Sequence, residues 1–438
     1  MLHLPAPVPL DIEGVEGWLV RGARGSSHSV AAVGMRAGAV VEPLADIGLG
    51  HLRMHTAMER AGWEATELAC LDRPWANGLL LTAWPGRMPG ALRQLERALR
   101  KPGRLRLERL RAELRNEYDE GRDTPRTGLQ ARFGVLGPGR YGLPELGVER
   151  LRSVAGLTQA GGGGAALPPA RQLGPLPAWR RGPDGWSMVC LGFADVRTAE
   201  AAAYAIDTQL DAADEDWIGS AVVMTGLASP PVLVVSAVAG EGSAARLAGA
   251  VQRVAAGAAD AEELRRWRRA HDPLDEVEAL QLEARRALGC SLLGLPVLSA
   301  SELEAARAAV LPEDVAAAAG HAVAHDAVWV LPGPPPPALE ALPEWRAQPV
   351  DGQSWSRHGG QRLRLGEAGV TVEAERGERT VRWDECAAVV RTTEGWTLVG
   401  DDGERVVVVP REWRDGDVLG RRLAREARGR EQVEMPAR

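Results

Sequence analysis

Two stretches built from Gly and Pro interrupt every hydrophobic pattern in the sequence, and they fix how the chain can be divided. The first, 159–183 (QAGGGGAALPPARQLGPLPAWRRGP), reads as a linker that is flexible and then semi-extended. The second, 332–343 (PGPPPPALEALP), carries a proline run that favours a stiff polyproline spacer. Three units are therefore expected, at 1–165, 166–340 and 341–438. A chain of 438 residues gives each of them enough length to bury its own core.

The first two units share an order of elements. Gly17 to Val20 and Ser29 to Met35 read as strands, followed by helical patterning over 44–61. In the second unit Trp186 to Phe193 reads as a strand, Thr198 to Leu210 as an amphipathic helix, Ser220 to Met224 and Val232 to Val238 as strands, with helices from Ala244 onward. Past 341 the period changes to two. Between Gln361 and Val409 six short strands are separated by turn signals such as Gly359-Gly360, Glu394-Gly395 and Asp402-Gly403, and a helix over 417–428 closes the unit. The expected fold class is α+β: two related layered α/β domains, helices on one face of a sheet, plus a small all-β carboxy-terminal sandwich with one helix.

Composition limits the functional classes. With 45% hydrophobic and 25% charged residues the chain is globular, which excludes collagen, coiled coil and wholesale disorder. No segment approaches the ~20 apolar residues of a membrane helix. The start, MLHLPAPVPLDIEG, lacks the basic and apolar regions of a secretory signal, so a cytoplasmic location is expected. A net charge of −7 gives no reason to expect nucleic acid as a partner. Cys70, Cys190, Cys290 and Cys386 make no zinc-ribbon spacing and read as separate reduced thiols.

The stretch richest in chemistry is His51-Leu52-Arg53-Met54-His55, because imidazoles at i and i+4 of a helix lie one above the other and can chelate zinc. The same spacing also arises without function. His321 and His325 in GHAVAH repeat it and read as surface or helix-end residues.

The surroundings of the first pair are more specific. Val33-Gly34-Met35-Arg36-Ala37-Gly38 with Glu42, then Gly48-Leu49-Gly50-His51, resembles a strand, a G-x-x-x-E turn and the G-x-H start of a helix. Downstream come Glu117 with Pro125, Tyr141-Gly142 and Gly147-Val148; the second unit ends in Val310-Leu311-Pro312-Glu313-Asp314-Val315 and Val328-Trp329-Val330-Leu331-Pro332. Together, over residues 10 to 332, these resemble the insulinase/pitrilysin family of zinc peptidases, the inverzincins, whose signature is H-x-x-E-H.

The resemblance implies zinc held by His51, His55 and a downstream glutamate, with the Glu of the signature as general base. Position 54 holds methionine instead, and a thioether cannot accept a proton from zinc-bound water at neutral pH. For the third ligand, Glu117 matches the family's phase relative to Pro125, and Glu113, in LRAEL, matches the local sequence of some members. A substrate-binding Arg and Tyr of active members are replaced in 210–219 by acidic residues and Trp217. The resemblance therefore implies a non-catalytic homologue acting as partner or scaffold of a peptidase assembly, beside a homologous or catalytic insulinase-family subunit or a second copy of itself, with peptide as ligand. Two other readings stand beside it: an active zinc peptidase whose base is Glu59, Glu64 or a partner's residue, and an interaction protein that holds no metal.

The third unit is similar to small bacterial pleckstrin-homology-like domains, chiefly in 362–370 and 380–383. Trp383, Trp396 and Trp413 are expected in its core. Arg362, Arg364, Arg379 and Arg382 are interspersed with acidic residues, so a mixed solvated face and a protein-docking role are expected.

Overall fold

The structure is a computed structural model that describes residues 6–12, 15–22, 26–43, 46–61, 67–73, 75–100, 108–110, 112–114, 124–135, 137–142, 173–182, 186–211, 218–226, 230–238, 242–270, 272–273, 275–357, 359–374, 377–391, 394–429 and 432–434.

The first half runs β1 (Val8–Ile12), β2 (Val15–Arg21), β3 (Ser29–Met35), α1 (Leu49–Ala61), β4 (Glu67–Arg73), β5 (Ala76–Ala83), α2 (Met88–Arg100) and α3 (Thr124–Phe133). Its antiparallel sheet has the order β1-β2-β3-β5-β4. The second half runs β6 (Ala178–Arg181), β7 (Trp186–Gly192), α4 (Val196–Asp211), β8 (Ile218–Met224), β9 (Val232–Val238), α5 (Ser243–Ala255), α6 (Ala261–Ala270), α7 (Glu276–Leu293), α8 (Ala300–Ala308), α9 (Pro312–His325) and β10 (Ala327–Leu331). Its sheet has the order β6-β10-β7-β9-β8. Both sheets repeat one unit: a strand, a helix, an edge strand, and a strand that inserts between the two (β3-α1-β4-β5 and β7-α4-β8-β9).

The central strands are apolar on both faces because both faces are covered. Every residue of β3 and β5 is buried. Val33 and Leu79 pack with Met54 of α1 and Leu95 of α2 on one side. On the other side Val30, Ala32 and Leu80 share a cluster with Leu280, Ala284 and Leu288 of α7, a helix of the second half. The exchange is mutual. Leu129, Ala131 and Phe133 of α3, from the first half, lie in that same cluster with Met188, Cys190, Val232 and Val234 of the second sheet. Gly128 lets α3 come this close, since a Cβ there would stand 2.5 Å from Val234. The outer face of the second sheet is closed by α4, α5, α6 and α9 around Trp267 and Trp329. Arg132 ties the halves further, donating to the Asp326 carbonyl at 2.7 Å and to its carboxylate at 2.5 Å.

Residues 159–172 of the first Gly/Pro stretch lie outside the described residues; the described part of that stretch and the whole of the second are more structured than the sequence suggests. Ala178–Arg181, at the end of the first, is strand β6 and pairs in parallel with β10. The proline run is docked. Leu339 sits in the core of the second half, the Trp179 N–H donates to the Pro343 carbonyl at 3.1 Å, and the Trp345 N–H donates to the Trp179 carbonyl at 2.8 Å. Composition reports the absence of a hydrophobic period, and a four-residue edge strand needs none.

The carboxy-terminal unit has two four-stranded sheets. The first comprises β11 (Gln353–Ser356), β12 (Arg362–Gly366), β13 (Gly369–Ala374) and β14 (Gly377–Arg382), and the second has the order β17-β16-β15-β18 from β15 (Cys386–Arg391), β16 (Trp396–Gly400), β17 (Arg405–Val408) and β18 (Gln432–Glu434). Helix α10 (Gly416–Glu426) closes it through Leu419 and Leu423. Trp383 and Trp413 are core residues and Trp396 packs beside them. Arg364 bridges Glu373 and Glu378, and Arg382 faces Asp384, which makes this a mixed-charge face. Among the described residues, no helix is long and apolar enough to cross a membrane.

Candidate functional site around the His51–His55 pair

The pair is carried by α1, whose start is built by a buried carboxylate. The first N–H groups of a helix have no partner within it. Here Glu42 Oε2 accepts from the Gly48 N–H at 2.9 Å and Oε1 from the Gly50 N–H at 2.7 Å. A negative charge at this end also meets the positive pole of the helix. Gly48 adopts φ +90°, which favours glycine, and α1 accordingly begins at Leu49, inside the 44–61 window expected from patterning. Gly50 is required by contact, since a Cβ would lie 2.3 Å from the Ala37 carbonyl oxygen. Asn77 of β5 holds that same carbonyl through its Nδ2 at 2.6 Å.

One turn in, His51 and His55 are both buried, with Nε2 atoms 3.1 Å apart and rings edge to face at a 4.7 Å centroid separation. Zinc–nitrogen bonds of about 2.0–2.1 Å to both Nε2 atoms would subtend roughly 100°, close to tetrahedral, so the imidazoles fit as two ligands of one ion. The third ligand is a separate matter. Glu117 and Glu64 lie outside the described residues, as does the 212–217 segment with Trp217. Glu113 is bound to Arg109 at 2.8 Å on a partly exposed helical face, and Glu59 is exposed. Among the described residues, no group of three His, Cys, Asp or Glu side chains gathers to hold a metal.

Met54 belongs to the core. It is fully buried among Val33, Met35, Ala57, Leu79 and Leu95, so α1 presents its imidazoles on one face and an apolar wedge on the adjoining one. Neighbouring Arg53 reaches the Leu99 carbonyl at 3.3 Å, and burial pushes its guanidinium pKa below the ordinary value.

Other expected residues are placed plainly. His321 and His325 are both exposed at the end of α9. Among the described residues Cys190, Cys290 and Cys386 form no disulfide, and complete burial pushes the Cys190 thiol up to about 12. Pro125 stands in the first turn of α3, where its missing N–H costs nothing, and so begins a helix. The resemblance places Glu42 only in a G-x-x-x-E turn, and its capping role comes from the structure. Its sequence signal is a lone Glu six and eight residues before two closely spaced glycines.

No protein-family model matches the chain, and no curated protein matches its sequence. Solved structures do match. A peptidase M16 inactive domain from Pseudomonas fluorescens superposes with a TM-score of 0.53 at 12% identity, covering 74% of this chain and 97% of that one. A structure named as an M16-like peptidase, from Alicyclobacillus acidocaldarius, gives 0.52 at 13% identity, over 76% and 99%. A protease from Helicobacter pylori gives 0.51 at 11% identity, over 75% and 100%. Across about three quarters of its length the chain therefore has the fold of M16-like peptidases, the insulinase type.

Proposed function

We propose that this protein is a catalytically degenerate insulinase-type homologue that serves as the non-catalytic partner or scaffold half of a peptidase assembly. The observation that carries this reading is Met54. At the position assigned to the general base stands a side chain with no proton-accepting group, fully buried among hydrocarbon. Losing general-base catalysis alone costs about 10² to 10⁴ in rate.

His51 and His55 would be the protein's ligands for zinc, with Glu117 the proposed third. Bound there, the ion would supply a Lewis acid and acidify a bound water. This chain's part would be to hold the ion through the two imidazoles and to keep the Met54 side of α1 dry. The partner proposed is a homologous or catalytic insulinase-family subunit or a second copy of this chain, and the ligand an extended peptide. A docking role is proposed for the pleckstrin-homology-like unit.

The test is purified protein with added zinc against a mixed peptide library. No turnover is expected from wild type. Turnover abolished both by chelator and by His51→Ala would establish the active-peptidase reading instead. Metal content separates the remaining reading: about one zinc per chain, lost in His51→Ala/His55→Ala, supports a retained metal site, and none after zinc loading leaves a metal-free interaction protein.

A further inference from the structure

Strands β15 and β16 of the carboxy-terminal unit carry buried apolar side chains on both faces. Val389 and Leu398 point into the unit's own core, whereas Ala387, Ala388, Val390 and Val399 form a separate cluster with Ile47 and Val135 of the first half. This explains the unbroken apolar run of β15. Beside the cluster, the Val135 N–H donates to the Asp401 carbonyl at 2.6 Å, an approach allowed by Gly134, where a Cβ would lie 1.8 Å from that oxygen. Arg180 of β6 donates to the Asp402 carbonyl at 2.9 Å and lies over the Trp345 ring at 5.6 Å.

From this contact a set of hydrogen bonds leads to the start of the helix that carries the imidazoles. The Val135 carbonyl accepts from Arg140 Nε at 3.3 Å, Arg140 Nη1 donates to the Glu42 carbonyl at 2.8 Å, and the Glu42 carboxylate holds the N–H groups of Gly48 and Gly50. Ile47, buried in the same cluster, is the residue before Gly48. The covered face and the start of the His51 helix are thus one connected structure.

We propose that the carboxy-terminal β unit is an intramolecular clamp: its β15–β16 face, docked on Ile47 and Val135, holds the first turn of the His51 helix and couples docking to the geometry of the His51–His55 pair. The occupant of that face is this chain's own 46–48 turn and the end of α3. Because coupling is reciprocal, an ion gathered by the two imidazoles tightens docking, and a protein that competes for the β15–β16 face loosens the helix. The inference stands whether or not the protein has any activity.

Amide hydrogen exchange on the full chain tests it. Ala388→Asp puts a carboxylate into the docked face and leaves the unit's core side chains untouched. The amides of Gly48 to Leu52 are expected to exchange at least about tenfold faster, while β12 and β13 keep wild-type protection. Faster exchange at Val135 with no change at 48–52 overturns the clamp. Should Ala388→Asp unfold β12 and β13, Arg180→Ala decides by the same comparison: faster exchange at 48–52 supports coupling, and unchanged exchange there overturns it.

Discussion

Glu42 Oε1 and the Gly50 N–H lie 2.7 Å apart, and that same oxygen would stand 3.0 Å from a Cβ added at Gly50. The carboxylate, the glycine and the helix start are one fitted unit. Hydrogen bonds to a charged group are worth roughly 1.5–3 kcal/mol each, and removal also leaves buried N–H groups unpaired. Glu42→Ala is expected to lower unfolding stability by about 2–3 kcal/mol, read from a urea midpoint at unchanged slope. Gly50→Ala should cost at least about 1–3 kcal/mol, since the backbone oxygen of Ala37 cannot move aside as a flexible side chain would. Wild-type stability in either variant would show that the helix start is held elsewhere.

Met54 tests how far position 54 has left polar surroundings. Met54→Leu conserves volume and should stay within about 1.5 kcal/mol of wild type. Met54→Glu buries a carboxyl among Val33, Leu79 and Leu95, and should cost roughly 3 kcal/mol or more at neutral pH, less in acid where the group is protonated. A tolerated glutamate that brings zinc-dependent turnover would mean that this one substitution silences an otherwise intact site.

Arg132 is almost fully enclosed and Asp326 is its carboxylate partner across the two halves. Truncating one member of a buried pair leaves the other charge uncompensated. Asp326→Ala is expected to destabilise by about 3 kcal/mol, whereas the exposed pair Arg109–Glu113 should give under about 0.5 kcal/mol when Glu113 is truncated. Equal effects in the two variants would refute the interior placement of Arg132.

Glu404 sits where the clamp meets β6. Burial raises its pKa above the usual 4.5, Asp402 raises it further, and the Arg405 N–H, Arg379 and Arg180 oppose that rise. A carboxyl with a raised folded pKa binds its proton more tightly in the folded state. Its charge therefore weakens the fold as pH rises through and above that raised value, and the cost fades toward pH 4.5. Glu404→Gln is expected to stabilise the protein at pH 7 and to lose that advantage on acidification. Paired melting curves at pH 7 and pH 5 check the sign, and an advantage that grows in acid contradicts it.

Strands whose pattern is strong were legible from residues alone. Ser29–Met35 and Val232–Val238 fall where their apolar runs end, and the six strands between 361 and 409 fall between their turn signals, because alternation and turn chemistry are local properties. The histidine pair was legible for the same reason, i and i+4 being neighbours in any helix. Other features depend on distant parts of the chain. Leu280 and Leu129 each cover the other half's sheet, a placement that no local pattern of the chain contains. The proline run reads as a spacer, yet Leu339 is anchored in the second core. Met54 reads as a lost catalytic group, and only packing gives it a partner set in Val33, Leu79 and Leu95. Sequence by itself determined the local periods, the turns and the chemistry available at each position. Tertiary structure decided which faces meet, because burial energy depends on the surface that arrives from elsewhere in the chain.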